Sequence, residues 1–535
     1  MDGLNLKIFK AGSGMLSAML EKPDGATIHL HSLVRPEEEW KYFDGLQVWG
    51  DRLVLLGTGL GYHLSGIVKK IPHGCRVMLI DYYEELLNVC KKEFFSEIQT
   101  VEISSDTPDK ERLISSFLQG GRCLQFIRHP ASVYARREFY NRLTSLFFPQ
   151  GAESKSGSVL VLHGKFFLQE ELCRALSSIG MRAVPFEYEK AGSALSYESR
   201  LQYLIQSEKP DVIISVNMLG FDGNGMLPEL AARSGIPVVV WFVDDPHPIL
   251  LHQRQFINKN MAAFCWERAY LPFLKSSGFG SVKYLPLAAD PEMFPFTEGK
   301  SSLCRLGFVG SSMGRKFLSG IAGKFLYRDD MEPFVYTCAQ KLLCSPARID
   351  SIMESVCRET GCVLPFTDER NMVWRRSYII HTASMMRRKQ IVDALIPCGL
   401  QTFGDPEGWR ELCGGELITN PDIDYRTGLA DIYRRIDVNV NITSCQMPSG
   451  VNQRVFDIPL CGGFVISDPQ EDLGELFADD EVVTYSSVEH LKELVTRYTA
   501  NEKERLVISE RAMKRIKGEH TYYHRVKKIL SELGC

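Results

Sequence analysis

The sequence predicts an α/β protein whose sheets are parallel and covered by helices. Short apolar runs of about four to eight residues, rich in Val, Ile and Leu, alternate with longer segments of helical periodicity. Most runs end in Gly, Asp or Asn, as parallel strands buried on both faces do. The runs are RLVLLG, RVMLID, SVLVLHG, DVIISVN, PVVVWFVDD, RLGFVG, DVNVNIT and GFVISD.

Two breaks in this alternation predict three domains in series. The chain of 535 residues is too long for one hydrophobic core. Residues 149–158 (PQGAESKSGS) are polar and rich in Gly and Ser, and residues 286–302 contain several prolines, so both segments are predicted to be linkers. The resulting domains are 1–150, 157–295 and 302–535.

Composition and charge exclude several classes of protein. The net charge of −4 disfavours a nucleic-acid-binding protein that depends on phosphate contacts. The longest apolar run, residues 236–243, is far shorter than the ~20 residues of a membrane-spanning helix. The N-terminus lacks the basic and apolar regions of a signal peptide. We therefore expect a cytoplasmic protein without a membrane span.

The cysteine pattern predicts neither a zinc site nor a disulfide framework. The chain has 15 cysteines but no Cys-x-x-Cys pair. Most cysteines stand among apolar residues, as Cys265 and Cys461 do, which is typical of small core side chains in a reducing compartment. No metal site is expected.

The first domain begins with a glycine-rich turn. The run LVLLG leads into Gly57, Gly59 and Gly61, and Asp81 ends the following run. Glycines that let a helix N-terminus approach a ligand, followed by an acid for ribose hydroxyls, are typical of a Rossmann unit. A nucleotide or S-adenosylmethionine would fit this pattern. The alternative is a turn that only packs a helix on the sheet.

Charged side chains follow the apolar run 236–243 directly. Asp244, Asp245 and His247 stand where that strand is expected to end, and ligands of open α/β sheets bind at the carboxyl ends of strands. The functional interpretation is a general base or an acceptor of sugar hydroxyls. The alternative is that the acids form a turn and cap the next helix.

A second glycine-rich turn opens the third domain. The run RLGFVG ends at Gly310, and Gly314, Arg315 and Lys316 follow. Small residues let backbone N–H groups approach a phosphate, and arginine adds a bidentate fork. These residues are therefore candidates for binding a diphosphate. The alternative is a solvent-exposed turn that happens to carry two basic residues.

The order of these phrases resembles the retaining glycosyltransferases of the GT-B fold, in which two Rossmann-like domains face each other. The phrases that carry the resemblance are YLPLAADPEMF, RLGFVGSSMGRKF and GVNQRVFDIPLCGGF. That family often has two acids separated by seven residues. Asp457 matches the second acid, whereas Ser449 stands in place of the first.

This resemblance implies a donor site in the third domain. By position, the donor diphosphate would be bound by Gly310, Arg315, Lys316 and Arg454. Its ribose and sugar would contact Ser449, Gly450, Asn452 and Asp457, and its base would lie near Gly404 and Trp409. The loop acids 422–424 (DID) are interpreted as turn residues.

Two more specific resemblances concern separate parts of the chain. Residues 157–535 resemble the CgeB-like group of predicted glycosyltransferases, through GVNQRVFDIPLCGGFVISD and EHTYYHRV. The first ~130 residues resemble the N-terminal domain of motility accessory factor (Maf) proteins, which glycosylate flagellin, through the LHS phrase and the turn at 57–63. By the resemblance to the GT-B fold, the last helical region is expected to cross back to the preceding Rossmann-like domain, and its His520 and Arg525 to pack and cap.

The resemblances imply transfer of a sugar from a nucleotide-sugar donor, without a metal or other cofactor. The implied acceptor is a protein, with flagellin favoured by the first domain. Two alternatives remain open. The first domain would bind S-adenosylmethionine in a bifunctional methyltransferase–glycosyltransferase, or the chain would be a non-catalytic carbohydrate-binding or scaffold protein, as the missing acid at Ser449 suggests.

Overall fold

The computed structural model describes residues 3–121, 123–147, 156–166, 168–191, 193–298, 301–344 and 348–534. The chain divides into two compact units. The first comprises Met1–Lys165, Val184–Ile213 and Gly220–Pro237, and the second comprises Phe166–Ala183, Ile214–Leu219 and Val238–Cys535. Residues 149–155 of the first predicted linker, and residues 299 and 300 of the second, lie outside the described residues. The three predicted domain boundaries stay predictions.

The N-terminal region has a small antiparallel sheet followed by a parallel one. The antiparallel strands are β1 (Asn5–Lys10), β2 (Leu16–Glu21) and β3 (Thr27–His29), in that order. The parallel strands are β4 (Arg52–Leu56), β5 (Arg76–Ile80), β6 (Thr100–Ile103) and β7 (Leu124–Arg128), in the order β6-β5-β4-β7. The helices are α1 (Ser65–Val68), α2 (Glu84–Phe94), α3 (Lys110–Leu118), α4 (Pro130–Ala135) and α5 (Arg137–Ser145). This order is that of the first four strands of a Rossmann sheet.

The middle region has six strands. They are β8 (Ser158–His163), β9 (Arg182–Glu187), β10 (Val212–Val216), β11 (Val238–Phe242), β12 (Met261–Cys265) and β13 (Ser281–Tyr284), in the order β13-β12-β11-β10-β8-β9. The helices are α6 (Gln169–Ser178), α7 (Ala194–Glu208), α8 (Met226–Arg233), α9 (Pro246–Leu250) and α10 (Leu271–Ser276). Every residue of β11 is buried, as its uninterrupted apolar run predicts.

The C-terminal region has six parallel strands in the order of a complete Rossmann sheet. They are β14 (Cys304–Val309), β15 (Gln401–Phe403), β16 (Ile418–Asn420), β17 (Ile436–Asn441), β18 (Val465–Ser467) and β19 (Val483–Thr484), in the order β16-β15-β14-β17-β18-β19. The helices are α11 (Arg315–Ala322), α12 (Glu332–Cys344), α13 (Ile349–Thr360), α14 (Glu369–Leu395), α15 (Pro406–Cys413), α16 (Leu429–Arg435), α17 (Arg454–Leu460), α18 (Leu473–Leu476), α19 (Val488–Ala500), α20 (Glu502–Glu519) and α21 (Tyr522–Leu533).

A group of helices is inserted between β14 and β15. A Rossmann crossover needs only one helix, but here α11 is followed by α12, α13 and the 27-residue α14. These three helices share a hydrophobic core of their own, which includes Val335, Cys338, Val356 and Ile379. The sequence analysis did not identify this insertion.

These topologies confirm the predicted fold class, an α/β chain in which two Rossmann-like sheets follow a third, N-terminal one. The last helix packs against α6, and Arg525 donates hydrogen bonds from α21 to the carbonyl oxygens of Pro286 and Leu287 at 2.7 to 3.1 Å. Among the described residues, no helix is both long and apolar enough to span a membrane.

Candidate functional site

The turn after β14 lies at the carboxyl edge of the C-terminal sheet. Gly310 donates its N–H to Phe403 and accepts a hydrogen bond from the Trp409 indole, both at 2.9 Å. A Cβ atom at Gly310 would lie 2.7 Å from the guanidinium of Arg454. Glycine is favoured here because Gly310 has a φ of +154°, and because Arg454 approaches its backbone closely.

Arg454 is fixed against this turn at the start of α17. Its Nε donates to the carbonyl oxygen of Val309 at 2.8 Å, and another guanidinium nitrogen donates to Asn441 at 3.1 Å. Asn452 donates to the same Asn441 oxygen at 2.7 Å. The structure thus brings together Gly310, Asn452 and Arg454, three of the predicted donor-site residues.

Two further arginines come from the helical insertion, and the sequence analysis missed them. Arg388 on α14 donates to the carbonyl oxygen of Ser311 at 2.6 Å. Burial, together with the neighbouring Arg454, lowers the pKa of Arg388 to about 9. Arg387 lies 3.8 Å from Asp468. The basic run Arg387 to Lys389 is visible in the sequence as a candidate for anion binding. It stands inside a helix, however, whereas ligands of open α/β sheets are expected at the ends of strands.

Arg315 and Lys316 are the first two residues of α11, and both are exposed. The helix has eight residues, and the N-terminus of a helix that follows a glycine turn is where an anion is held in such folds. Gly314 precedes the helix, and its N–H is bonded to the Ser312 hydroxyl at 3.0 Å. The diphosphate role of Arg315 and Lys316 stays a prediction.

Trp409 and Gly404 lie next to Gly310 of the turn after β14. Trp409 is fully buried and contacts Phe308 edge-on, with ring centroids 5.7 Å apart. Its ring therefore has no open face for a donor base in this structure, and its indole instead positions Gly310. Gly404 has a φ of +97°, and its N–H bonds to the carbonyl oxygens of Asn420 and Pro421 at 3.2 Å.

Asp457 is a buried acid with one unsatisfied oxygen. Only 1% of the residue is exposed. Its Oδ1 accepts a hydrogen bond from Gln453 at 2.8 Å, whereas Oδ2 has no hydrogen-bond partner within the described part of the chain. Burial raises the pKa of Asp457 well above its ordinary value. A buried oxygen of this kind has room for one more hydrogen-bond donor, but it is as closed to solvent as the Trp409 ring. The ribose-binding role of Asp457 stays a prediction.

Ser449, which stands in place of the expected first acid, is bonded to an acid distant in sequence. Ser449 donates from its N–H at 3.0 Å and from its hydroxyl at 2.7 Å to the Glu267 carboxylate. Gly450 donates its N–H to the same carboxylate at 2.8 Å. Glu267 is fully buried and follows β12 by two residues. Glu267 could have been identified from the sequence, because ligand-binding residues are expected just after the carboxyl ends of strands.

In the middle region, Asp245 and His247 form a dyad after β11. The carboxylate of Asp245 caps α9 by accepting the His247 N–H at 2.9 Å, and it lies 2.7 Å from His247 Nδ1. Because a carboxylate only accepts, Nδ1 carries a proton, and in a neutral ring the lone pair is then on Nε2. Asp245 thus caps α9 and also orients His247, which is the candidate general base.

Asp244 points to a different partner. Its Oδ2 accepts a hydrogen bond at 2.7 Å from Asn217, whose own oxygen accepts the N–H of Val243. Burial, reinforced by the neighbouring Asp245, raises the pKa of Asp244 to about 6. Asp244 is therefore a carboxyl that changes charge near neutral pH.

In the N-terminal unit, the chain's own side chains occupy the space beside the glycine turn. A Cβ at Gly57 would meet Ser132, one at Gly59 would meet His31, and one at Gly61 would meet Phe94. Internal packing therefore explains these glycines without a ligand.

Asp81 is engaged within the same turn. The buried carboxylate accepts the N–H groups of Gly59 and Tyr83 at 2.9 and 3.1 Å, and the hydroxyl of Thr58 at 3.2 Å. These contacts favour the structural alternative over nucleotide or S-adenosylmethionine binding.

Next to this turn, His31, Glu39 and His129 place three potential metal-ligand atoms within 4.8 Å of one another. His31 Nδ1 lies 2.7 Å from Glu39, and its Nε2 accepts the N–H of Leu60 at 2.8 Å. The proton of a neutral His31 must then be on Nδ1, the atom a metal would need. The group is better explained as a hydrogen-bonded network.

The remaining predicted residues have structural contacts. Asp422 accepts the N–H of Asp405 at 2.9 Å, and Asp424 accepts the N–H groups of Arg426 and Thr427, as expected of turn residues. His520 Nε2 lies 2.8 Å from the carbonyl oxygen of Leu476.

Comparison with known proteins finds a family match in the C-terminal part of the chain. Residues 383–531 match a family described as glycosyl transferase-like. No curated protein matches the chain. The chain has weak structural similarity to sucrose-phosphate synthase from Thermosynechococcus elongatus (TM-score 0.41, 11% identity, covering 70% of this chain and 98% of the other). Its structural similarity to Anabaena HepE in complex with UDP is equally weak (TM-score 0.40, 11% identity, covering 70% of this chain and 99% of the other).

Proposed function

We propose that the chain is a glycosyltransferase that moves a sugar from a nucleotide-sugar donor to an acceptor hydroxyl. The observation that carries this proposal is the cluster of Gly310, Asn452 and Arg454 at the carboxyl edge of a Rossmann sheet. Arg454, Asn452 and the buried Asp457 lie inside the segment that matches the glycosyl transferase-like family.

The leaving group of this reaction is a nucleoside diphosphate, whose negative charge grows as the sugar departs. The N-terminus of α11, with Arg315 and Lys316, would face the diphosphate together with Arg454. Such pre-placed donors and cations stabilise developing charge without reorganisation. We expect the reaction to proceed without a divalent ion or other cofactor, because these groups supply the positive charge.

On the acceptor side, His247 would remove the proton of the attacking hydroxyl through Nε2. Asp245 holds the ring in the required tautomer by its contact with Nδ1 at 2.7 Å and stabilises the imidazolium that forms. Asp244 would contact the acceptor's hydroxyls. The Gln453-bound Asp457 would bind the donor ribose through its unsatisfied oxygen.

The finer assignment follows the sequence resemblances. Residues 157–535 would form a CgeB-like transferase with domains 157–295 and 302–535, and residues 1–150 a Maf-like accessory domain. The acceptor would then be a protein, flagellin first among candidates, modified on an oxygen in the cytoplasm. The packed glycine turn at Gly59 supports an accessory role for the first domain over a methyltransferase.

The experiment is a donor survey on the full chain. Purified protein is incubated with UDP-, GDP-, ADP- and dTDP-sugars, and released nucleoside diphosphate is measured by chromatography. We expect release from one nucleotide class, lost in His247→Ala and retained in the exposed-histidine control His73→Ala. Absence of binding and release with every donor would refute the proposal. Flagellin from cells with and without the protein, compared by mass spectrometry, tests the acceptor separately.

A further inference from the structure

A cavity of about 440 Å³ lies beside His247 in the second compact unit. One wall is formed by α9 and α10, and the other by the starts of α13 and α14 in the helical insertion. The His247 ring stacks on Phe273 with centroids 3.9 Å apart, which fixes the imidazole in the wall. Five further apolar side chains also line the cavity: Leu250, Leu251, Pro272, Met372 and Val373.

The charged lining residues are unevenly paired. Arg376 lies 3.3 Å from Asp350 within the insertion. Arg254 lies 3.6 Å from Glu369, and both of these side chains are largely exposed, so their ion pair is weak. Arg348 has no carboxylate within 4.0 Å among the described residues. The cavity wall therefore holds a cation in excess.

We propose that this cavity binds the acceptor and selects a polypeptide in which an acidic side chain adjoins the serine or threonine that receives the sugar. The inference rests on the proposed function, in which His247 is the general base and a protein is the acceptor. Arg348 and Arg376 would bind the acceptor's carboxylate, since a planar guanidinium matches a carboxylate bidentately. The hydroxyl would then face His247.

The composition of the cavity fits a peptide. The five apolar side chains offer surface for a backbone and its aliphatic groups, and polar or charged side chains line both walls. The Arg254–Glu369 pair joins the two walls through exposed side chains that can separate at little cost.

The helical insertion thereby gains a function. It contributes Arg348, Asp350, Glu369 and Arg376, which are all of the charged lining residues except Arg254 and the histidine. A plain Rossmann crossover would leave this wall absent. The insertion is therefore the element that determines acceptor specificity.

The test measures peptide binding by isothermal titration calorimetry, without donor or turnover. The probes are acetyl-Gly-Ala-Asp-Ser-Ala-Gly-amide, the same peptide with Asn for Asp, and glucuronic acid. We expect the Asp peptide to bind about tenfold more tightly than the Asn peptide, which is the scale of one charge-assisted hydrogen bond. Arg348→Gln and Arg376→Gln should each remove most of this preference.

The matched control is Arg370→Gln, an exposed arginine on the same α14 that does not line the cavity. It should retain the preference, and melting curves should show that all three variants fold. Equal binding of the two peptides, or no binding of either, overturns the inference. Tighter binding of glucuronic acid than of the Asp peptide also overturns it, since the acceptor would then be an acidic sugar.

The outcome is separable from that of the proposed function. Peptide selection by the arginines without any donor binding would leave the cavity assignment intact as a peptide site and refute the transferase. Donor turnover without peptide selection would support the transferase and refute the cavity as a peptide site.

Discussion

The Glu267 carboxylate accepts hydrogen bonds from both the N–H and the hydroxyl of Ser449, at 3.0 and 2.7 Å. Ser449 is the position at which the resemblance leads one to expect an acid. The carboxylate that Ser449 contacts comes from a residue 182 positions earlier in the chain. Because Glu267 is fully buried and bonded to backbone N–H groups, it positions the 449–450 turn and does not face solvent.

Replacing Glu267 by Gln is therefore expected to destabilise the protein. The amide keeps the shape but turns an NH₂ group toward N–H donors, so a buried charge-assisted bond is lost, at about 2 to 3 kcal/mol. Urea unfolding measures the change. The control is Glu475→Gln, since Glu475 is exposed and paired with Arg268 at the surface, where the loss should stay below about 1 kcal/mol. Equal effects of the two variants would contradict a special role for Glu267.

Gly310→Ala tests the close approach of Arg454. The added Cβ would lie 2.7 Å from the guanidinium, which must then move. We expect affinity for the bound nucleotide sugar to fall about tenfold, equivalent to one charge-assisted contact, by calorimetry. Gly320→Ala, in α11 with open space around its Cβ position, should leave affinity unchanged. Unaltered affinity in Gly310→Ala would show that this arginine does not serve the donor.

The pH dependence of stability tests Asp244. Its pKa is raised from 3.8 to about 6 by burial, so the folded protein binds this proton more tightly than the unfolded chain. The group therefore destabilises the fold progressively as pH rises from about 4 to 6. Relative to Asp244→Asn, the wild type should lose about 2 kcal/mol between pH 4 and 7. A difference independent of pH would contradict the raised pKa.

Zinc is expected to leave the melting temperature unchanged. His31 uses Nε2 to accept the N–H of Leu60, so its Nδ1 keeps the proton that it shares with Glu39. Differential scanning calorimetry with zinc and with a chelator measures this directly. A rise in melting temperature with zinc that disappears in His129→Ala would identify a metal site instead.

S-adenosylmethionine should likewise produce no thermal shift. The turn at Gly59 is packed against His31, and the Asp81 carboxylate is bonded within the turn. A shift that is lost in Asp81→Asn would restore the bifunctional alternative.

The sequence predicted what depends on local pattern. Uninterrupted apolar runs such as β11 became buried parallel strands, and the glycine turn at Gly310 lies where the strand rule placed it. The sequence did not predict contacts between distant segments of the chain. Glu267 meets Ser449 across 182 residues, and Arg388 reaches Ser311 from inside a helix. The burial of Trp409 likewise depends on packing that no short motif records.

The central claim is that Arg454 belongs to a nucleotide-sugar site. The most direct measurement is the calorimetric affinity of the full chain and of Arg454→Gln for the nucleotide sugar found in the donor survey. Arg511→Gln, an exposed arginine paired with Asp480, is the control. We predict a loss of about tenfold or more for Arg454→Gln and none for the control. Equal affinity in all three proteins would contradict the account.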